Sequence, residues 1–318
     1  MILIARAPVR ISFGGGGTDL PAYYQRYGGL VVSTTINYYV YTILTADSED
    51  AVQIISADYR ALYQRATCED LIWDGGLSLP KAITYYFWSG LDLDPAETAE
   101  LACFIEIEKM GMPVGKQDQY AAAFGGLNCI TFSEEEVTVE PLSVPAETRN
   151  RLEEGIMLFF TGTSRESSTI LKRQRQASQT GEEETLRRLD AIKELGLEIR
   201  AALERADLDA FGELLHRSWV QKRGLTKGVT NPLIDQCYET ARQHGALGGK
   251  VTGAGGGGFL MLYCPVEQQE AVTEALSDLG LQRRPFAFDR EGVQVMQAVT
   301  WRPPRLSQPL FPGRMAVG

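Results

Sequence analysis

The sequence predicts an α+β fold in two parts, the first rich in strands and the second rich in helices. Residues 30–44 are dense in β-branched and aromatic side chains, which favour strands. Residues 167–244 instead carry the charge spacing of solvated helices. Strands and helices do not alternate in the rhythm of a doubly wound sheet. We therefore expect an N-terminal domain at residues 1–150 and a C-terminal domain at residues 151–318, divided by a polar stretch.

The strands are predicted from short apolar and β-branched runs that are bounded by polar turns. The first is the chain start, which is too short and too interrupted by Arg6 to be a signal peptide. The runs that predict strands, in order, lie at residues 1–12, 30–44, 51–56, 127–132, 137–145, 156–162, 250–264 and 293–299.

The helices are predicted from their start and stop signals. Asp94 is a suitable N-cap, Pro95 suits a first helical position, and Gly111 ends that helix. A second helix begins near Gln117 and ends at a pair of glycines. Residues 167–244 and 267–279 complete the predicted helical segments.

Composition excludes several classes of function. The net charge of −10 argues against nucleic acid or an anionic membrane surface as a partner. No apolar run approaches the roughly 20 residues that cross a bilayer. The five scattered cysteines form no C-x-x-C pair, which favours a reducing, cytoplasmic location. The only two histidines lie far apart in the sequence, which argues against a zinc enzyme or a serine–histidine hydrolase.

Two glycine runs stand out, at Gly14–Gly17 and Gly253–Gly258. Neither fits the common nucleotide-binding fingerprints, so each could form a tight turn or could contact a ligand. The first run lies between Arg10, whose planar fork suits phosphate, and Asp19, an acceptor suited to sugar hydroxyls. An ion pair that braces a turn is the alternative interpretation.

The most informative stretch is "GMPVGKQDQYAAAFGG", residues 111–126. It gathers Lys116, Gln117, Asp118 and Gln119 at a helix start, where unpaired N–H groups favour anions. Asp118 could simply complement the helix dipole. It could also accept a hydroxyl proton while Lys116 and Arg10 hold developing phosphate charge.

With these residues the sequence resembles the galactokinase–homoserine kinase–mevalonate kinase–phosphomevalonate kinase (GHMP) superfamily, and within it the D-glycero-D-manno-heptose 7-phosphate kinases. The segments that carry the resemblance are "RISFGGGGTDLP", "EIEKMGMPVGKQDQYAAAFGG", "FFTGTSRESSTIL", "LLHRSWVQKRGLTKGVTNPLID" and "GALGGKVTGAGGGGFLMLY". The resemblance implies an N-terminal domain like the second domain of ribosomal protein S5 and a ferredoxin-like C-terminal domain, with the active cleft between them.

The resemblance also implies roles for individual residues. Asp118 matches the catalytic carboxylate, with Arg10 and Lys116 as its supports, and Glu106 matches an acidic magnesium ligand. The implied substrate-side residues are Gly16, Gly17, Thr18 and Asp19, and the implied glycine turn near the nucleotide phosphates is Gly253, Ala254, Gly255 and Gly256. ATP and Mg²⁺ are the implied cofactors. The chain would work as a monomer or a homodimer.

The implied activity is phosphorylation of a sugar phosphate, at C1 of D-glycero-D-manno-heptose 7-phosphate. The phosphate already on this acceptor needs a basic site, for which Arg165, Lys222 and Arg223 are candidates; a surface position is the alternative for each. A kinase for a neutral sugar such as fucose would lack that site. A non-catalytic relative that binds sugar phosphate is the third possibility.

One departure from the family pattern supports that third possibility. The family has a phosphate-binding loop of the form P-x-x-x-G-L-G-S-S-S after a strand, and this sequence contains nothing similar. Some tens of residues are missing at the Phe87–Trp88 junction. A deletion, an error in the gene prediction and an incomplete sequence remain equal explanations.

Overall fold

The computed structural model describes residues 2–45, 52–56, 61–65, 93–162 and 167–297. Arg165 and the Phe87–Trp88 junction lie outside the described residues. Within these ranges the chain forms antiparallel sheets of six, four and two strands, with helices packed beside them. The predicted α+β class is confirmed.

The strands follow the predicted order, except that Ala61–Arg65, Gln282–Arg284 and Phe288–Asp289 were not predicted and the run at 250–264 forms two strands. They are β1 Ile2–Gly14, β2 Gly29–Thr45, β3 Val52–Ser56, β4 Ala61–Arg65, β5 Leu127–Phe132, β6 Val137–Pro141, β7 Ile156–Phe160, β8 Gly248–Val251, β9 Phe259–Tyr263, β10 Gln282–Arg284, β11 Phe288–Asp289 and β12 Gln294–Gln297.

The helices that begin at Pro95, Gln117 and Ser167 start where the sequence predicts, whereas those at Pro21–Tyr27 and Ala146–Gly155 were not predicted. Asp94 caps α2 in a reciprocal capping box with Glu97, which satisfies two backbone donors at this end. The helices are α1 Pro21–Tyr27, α2 Pro95–Cys103, α3 Gln117–Phe124, α4 Ala146–Gly155, α5 Ser167–Thr180, α6 Glu183–Glu204, α7 Leu208–Arg223, α8 Pro232–Gln243 and α9 Gln269–Asp278.

The two larger sheets divide the chain near residue 150, with one exception. The six-stranded sheet has the order β12-β1-β2-β5-β6, with β11 pairing β2, and the four-stranded sheet has the order β10-β7-β9-β8. The last two strands thus return to the sheet of the first half. The boundary between domains at residue 150 stays a prediction.

The core joins the two halves at the glycine run that follows β1. One cluster contains Phe13 from β1, Leu195 from α6 and Met261 from β9. Gly14 lies against α6, because a Cβ built on it would approach the Gly196 Cα to 2.9 Å. This close packing fixes the start of the run between the first sheet and the helices of the second half. In the described ranges, no helix is both long and apolar enough to cross a membrane.

Candidate active site

An ion pair joins β1 to the start of α3. The Arg10 Nη2 lies 2.6 Å from the Asp118 Oδ1, and the arginine side chain is nearly buried whereas the aspartate side chain is 59% exposed. Arg10 lies in β1 and pairs with Thr35 of the antiparallel neighbour β2. The first turn of α3 therefore presents a carboxylate to solvent beside a fixed guanidinium, which are the two groups that the sequence analysis brought together.

Asp19 connects the first glycine run to the same helix start. Its Oδ1 accepts from the Gly17 N–H at 3.0 Å and from the Gln117 Nε2 at 2.9 Å, and its Oδ2 accepts from the Gln117 N–H at 3.2 Å. Gly115 is required beside it, because a Cβ there would lie 1.9 Å from the Asp19 Oδ2. Asp19 thereby ties the loop before α1 to the beginning of α3.

The structure buries Asp19 and Thr18, and their substrate-side role stays a prediction. Asp19 is 1% exposed, and burial followed by the charge of Asp118 raises the pKa of its carboxyl. Thr18 is fully buried, and its Oγ1 donates to the Gly15 and Leu30 carbonyls and accepts from the Leu30 N–H. Both side chains hold the loop in place, and neither is exposed to an incoming sugar.

The four glycines of this run have different environments. A Cβ on Gly15 would lie 1.7 Å from the Leu30 carbonyl oxygen, and one on Gly17 would lie 2.6 Å from the Gln174 Nε2. Gly16 is outside the left-handed region and its added Cβ would meet nothing closer than the Ser12 Oγ at 3.3 Å. Packing therefore explains Gly14, Gly15 and Gly17, whereas a methyl group on Gly16 would make only one tight contact, with the Ser12 Oγ.

Glu106 lies in a π-helical turn, Phe104–Lys109, that continues α2. Such turns add a residue to the helix and are frequent at functional sites. The Glu106 carboxylate accepts a hydrogen bond from Gln119. Burial raises the pKa of Glu106, the Gln119 bond opposes this, and the nearby Asp118 charge adds to the rise.

The pair of carboxylates Glu106 and Asp118 fits a magnesium ion in ligand type. Mg²⁺ takes oxygen ligands, usually one or two carboxylates plus substrate phosphates and water. The described ranges contain no group of three or more His, Cys, Asp or Glu side chains placed to hold a metal.

Lys116, directly before α3, is held by a carboxylate of α2. Its Nζ donates to both carboxylate oxygens of Glu100, at 2.8 and 3.1 Å, and the Tyr120 hydroxyl donates to the same carboxylate. The structure thus places the predicted catalytic lysine in an ion pair with Glu100. Glu100 was not identified from the sequence.

A buried basic cluster lies behind the Arg10–Asp118 pair, and we define it as Arg10, Lys222 and Lys250. Lys222 of α7 is 8% exposed and Lys250 of β8 is 2% exposed. The Lys222 Nζ donates to the Gly253 carbonyl at 2.5 Å, and the Lys250 Nζ donates to the Ser12 Oγ at 3.1 Å.

The members of the cluster interact through their charges. Burial and then the charge of Arg10 lower the pKa of Lys222 to about 8, with Asp19 opposing. Burial, and then Lys222 and Arg10, lower the pKa of Lys250 well below its ordinary value, again against Asp19. Sequence reasoning missed Lys250, although a lysine in a strand directly before a glycine turn was a signal.

The remaining basic candidates do not join this cluster. Arg223 follows Lys222 along the chain but pairs with Asp235 at 3.9 Å and Glu239 at 3.7 Å, both on α8. Adjacent helical positions face different neighbours, so Arg223 lies apart from Lys222, and its substrate-side role stays a prediction. Arg165 lies outside the described residues.

The second glycine run forms the turn between β8 and β9. Gly253, Gly255, Gly256 and Gly258 all have positive φ, between 68° and 101°. Gly255 also packs against Val229, whose carbonyl oxygen would lie 2.6 Å from an added Cβ, and the Gly256 N–H donates to that carbonyl. Ala254 packs against a cluster of buried apolar side chains that includes Val229 and Leu260. The Gly253 carbonyl, which accepts from Lys222, links this turn to the buried basic cluster.

Known proteins share this arrangement of strands and helices. The family model "GHMP kinases C terminal" matches residues 199–280. The D-glycero-alpha-D-manno-heptose 7-phosphate kinase of Campylobacter jejuni is 29% identical over 93% of this chain and 98% of its own length. The structure of a D-glycero-D-manno-heptose 1-phosphate kinase from Bacteroides thetaiotaomicron is 26% identical with a TM-score of 0.74, covering 94% of this chain and 100% of that one.

A more distant structure shares the fold alone. The galactokinase of Lactococcus lactis, solved with galactose, has a TM-score of 0.68 at 18% identity and covers 93% of this chain and 95% of its own. The Campylobacter alignment spans 339 positions, whereas 93% of this 318-residue chain is about 296 residues. About 43 positions of that alignment, the difference between those two figures, therefore have no residue of this chain. Residues 199–280 thus match the C-terminal domain of the GHMP kinases, and the chain as a whole is similar in sequence and fold to heptose phosphate kinases.

Proposed function

We propose that this protein transfers the γ-phosphoryl group of ATP to the C1 hydroxyl of a sugar phosphate, D-glycero-D-manno-heptose 7-phosphate. The observation that carries the proposal is the exposed Asp118 carboxylate held by the nearly buried Arg10 at 2.6 Å. The names of the Campylobacter and Bacteroides relatives support a heptose phosphate as the acceptor.

The chemistry follows from the placement of these two side chains. Asp118 would accept the proton of the sugar hydroxyl while that oxygen forms its bond to the γ-phosphorus. The bond from the γ-phosphorus to the bridging oxygen of ATP breaks, and ADP leaves with the electron pair. Arg10 would stabilise the charge on the transferring group, because its fixed fork matches phosphate oxygens. Lys116, near the same helix start, would add a second positive charge.

Glu106 and Asp118 would hold magnesium through their carboxylate oxygens. When bound, Mg²⁺ neutralises phosphate charge and orients the phosphate oxygens. The Gln119 side chain would keep the Glu106 carboxylate in position, since it already donates to it. The Gly253–Gly256 turn would lie beside the nucleotide phosphates, and we infer a cytoplasmic protein that acts as a monomer or a homodimer.

A second candidate function is sugar-phosphate binding without transfer. The sequence contains no loop of the form P-x-x-x-G-L-G-S-S-S. Such a loop would supply several charge-assisted hydrogen bonds to ATP, each of roughly 1.5–3 kcal/mol. A chain that lacks these bonds should bind sugar phosphate but bind ATP weakly, and its turnover should be negligible.

The decisive experiment compares two forms of the protein. The first is the 318-residue chain, and the second carries the loop segment of the Campylobacter relative inserted between Phe87 and Trp88. Transfer of labelled phosphate from Mg·ATP to heptose 7-phosphate is measured for both, with fucose as the neutral acceptor. We expect transfer to the sugar phosphate in the loop-containing form and loss of transfer in its Asp118→Asn variant. Absence of transfer in a folded loop-containing form that binds Mg·ATP would overturn the proposed kinase activity.

A further inference from the structure

We infer that Lys222 is a positioning residue for phosphoryl transfer, because it binds the Gly253 carbonyl and thereby directs the backbone N–H of Ala254 to a phosphate group of the nucleotide. The inference rests on the proposed function, in which the Gly253–Gly256 turn lies beside the nucleotide phosphates. It adds a backbone donor that contacts the ligand and a buried lysine that orients this donor. The sequence had instead made Lys222 a candidate for the phosphate of the acceptor.

The first argument is the geometry of one peptide group. The Lys222 Nζ lies 2.5 Å from the Gly253 carbonyl oxygen, and the described residues contain no cis peptide bond. In a planar trans peptide group the C=O and the N–H that follows it point in opposite directions. The N–H of Ala254 therefore points away from Lys222 and from the buried basic cluster.

The second argument is that this N–H group is available to a ligand. In the part of the chain that the structure describes, the N–H groups of Gly253 and Ala254 donate to no acceptor. Both residues are half-buried, and a Cβ built on Gly253 would meet no atom of the described residues within 4 Å, its chain neighbours aside. An unpaired N–H group beside open space is a donor for an anion, as in the backbone concavities that bind phosphate.

The far end of the turn is held independently of Lys222. The Gly256 N–H donates to the Val229 carbonyl at 2.8 Å. The Gly258 carbonyl accepts from the Thr161 N–H at 2.9 Å and from the Thr161 Oγ1 at 3.0 Å. Lys222 thus orients the first peptide group of a turn that is already fixed at its other end. Removal of the lysine side chain should release that peptide group without unfolding the turn.

The charge of Lys222 favours the same arrangement. Burial and then Arg10 lower its pKa to about 8, with Asp19 opposing, so the side chain is still an ammonium at pH 7. A reversed peptide group would turn the Ala254 N–H towards this ammonium and bring two positive ends together. The ammonium therefore stabilises the observed orientation, and a donor that is oriented before the ligand arrives needs no reorganisation during the reaction.

NMR and calorimetry on the loop-containing form test the inference. The alanines are labelled with the NMR-active nitrogen isotope, and the Ala254 amide signal is identified by its absence from the Ala254→Gly variant. Lys222→Met then removes the donor to the Gly253 carbonyl. The probes are Mg·ATP and heptose 7-phosphate.

Two matched variants separate this contact from a general loss of positive charge. Lys250→Met removes a second buried ammonium, which donates to the Ser12 Oγ at 3.1 Å and not to the turn. Arg217→Met removes an exposed charge of the same helix α7, where Arg217 pairs with Glu198 at 2.9 Å. Both should keep the response of the Ala254 signal to Mg·ATP. Loss of this response in a folded Lys250→Met protein would show that charge alone is responsible and would overturn the inference.

Saturating Mg·ATP should shift the Ala254 signal in the wild type, whereas heptose 7-phosphate should not. Lys222→Met should bind Mg·ATP roughly 10- to 100-fold more weakly, the loss expected for a hydrogen bond to a charged group, and its Ala254 signal should not respond. The melting temperature of this variant should not fall, because the substitution removes an ammonium that is costly to bury.

Three results would contradict the inference. The first is a wild-type Ala254 signal that does not respond to Mg·ATP. The second is a response to heptose 7-phosphate alone, which would assign the turn and Lys222 to the acceptor. The third is unchanged affinity and an unchanged response in a folded Lys222→Met protein. Absence of phosphoryl transfer by a protein whose Ala254 signal responds to Mg·ATP would instead overturn the proposed function and leave this inference standing.

Discussion

Asp118 and Asp19 lie on either side of Arg10, yet their surroundings are opposite. The Asp118 side chain is 59% exposed and has Arg10 as its ion-pair partner. Asp19 is 1% exposed and accepts from the backbone of Gly17 and from the backbone and side chain of Gln117. The same residue type therefore has free acceptor capacity at one position and almost none at the other.

The contrast distinguishes a carboxylate that is available for catalysis from one that stabilises the fold of the site. An exposed carboxylate at a helix start can exchange protons and ligands without breaking the fold. A buried carboxylate that organises two loops and opposes nearby positive charges cannot change state without affecting all of them. We therefore expect substitution of Asp118 to lower the rate of catalysis and substitution of Asp19 to lower the stability of the fold.

The largest expected effect is on stability, from Asp19→Ala. The substitution leaves three donors without their acceptor and leaves the buried basic cluster without its buried counter-charge. We expect a loss of about 3–5 kcal/mol in the free energy of unfolding, measured by urea denaturation. Asp207→Ala is the control, because it removes only the N-cap of α7 and should cost about 1 kcal/mol. Equal losses in the two variants would show that Asp19 is an ordinary loop residue.

The next effect is on rate, from Asp118→Asn in the loop-containing form. The amide keeps the shape but cannot accept the hydroxyl proton as a carboxylate does, so kcat should fall by a factor of about 100 or more. The free energy of unfolding should change by no more than about 1 kcal/mol, since the exposed ion pair contributes little. Near-normal turnover in this variant would remove Asp118 from the chemistry.

The sequence predicted the exposed half of this site better than the buried half. Asp118, Arg10 and the start of α3 follow from local signals: a proline and glycines before the helix, a basic residue in a strand, and a carboxylate in the first turn. The capping box of α2 is likewise local, because Asp94 and Glu97 are three residues apart.

The buried half depends on contacts between distant segments. Lys250 meets Ser12 across 238 residues, and Asp19 meets Gln117 across 98. No local pattern reports such pairs, so the hydrogen bonds of Asp19 were not foreseen and Lys250 was overlooked. The return of β11 and β12 to the first sheet was missed for the same reason, since strand partners are chosen by tertiary packing.

The free energy of unfolding should depend on pH through Lys222 of the buried basic cluster. The pKa of Lys222 is lowered from 10.5 to about 8 by burial and by Arg10, while Asp19 opposes the shift and Lys250 is the other basic neighbour. Between these values the unfolded chain binds more protons than the folded chain, so this lysine makes the ligand-free protein more stable as pH rises from 8 towards 10.5.

Binding of the nucleotide should follow the opposite sign. The phosphates of ATP keep their negative charge above pH 7, whereas Lys222 loses its charge as pH rises through 8. Affinity of the loop-containing form for Mg·ATP should therefore fall by up to about tenfold per pH unit above that value. Calorimetry at several pH values measures it, with Lys222→Met as the control in which this fall should disappear. A slope that persists in the variant would assign the titration to another group.

The smallest expected effect on stability comes from Gly16→Ala, and it distinguishes a ligand-facing glycine from packed ones. The backbone of Gly16 is outside the left-handed region, and the nearest atom to an added Cβ is the Ser12 Oγ at 3.3 Å. The free energy of unfolding should thus change by less than about 1 kcal/mol. Gly15→Ala, in contrast, would place its Cβ 1.7 Å from the Leu30 carbonyl oxygen at a φ of 79° and should prevent folding. Because the predicted substrate-side role of Gly16 requires its backbone to approach the sugar phosphate, an added methyl group, 3.9 Å from the Lys250 Nζ, should weaken binding of heptose 7-phosphate in the folded Gly16→Ala protein while the melting temperature stays within a few degrees of the wild type. If the Gly16→Ala protein binds the sugar phosphate normally, Gly16 does not contact this ligand. The first glycine run would then serve only to stabilise the fold.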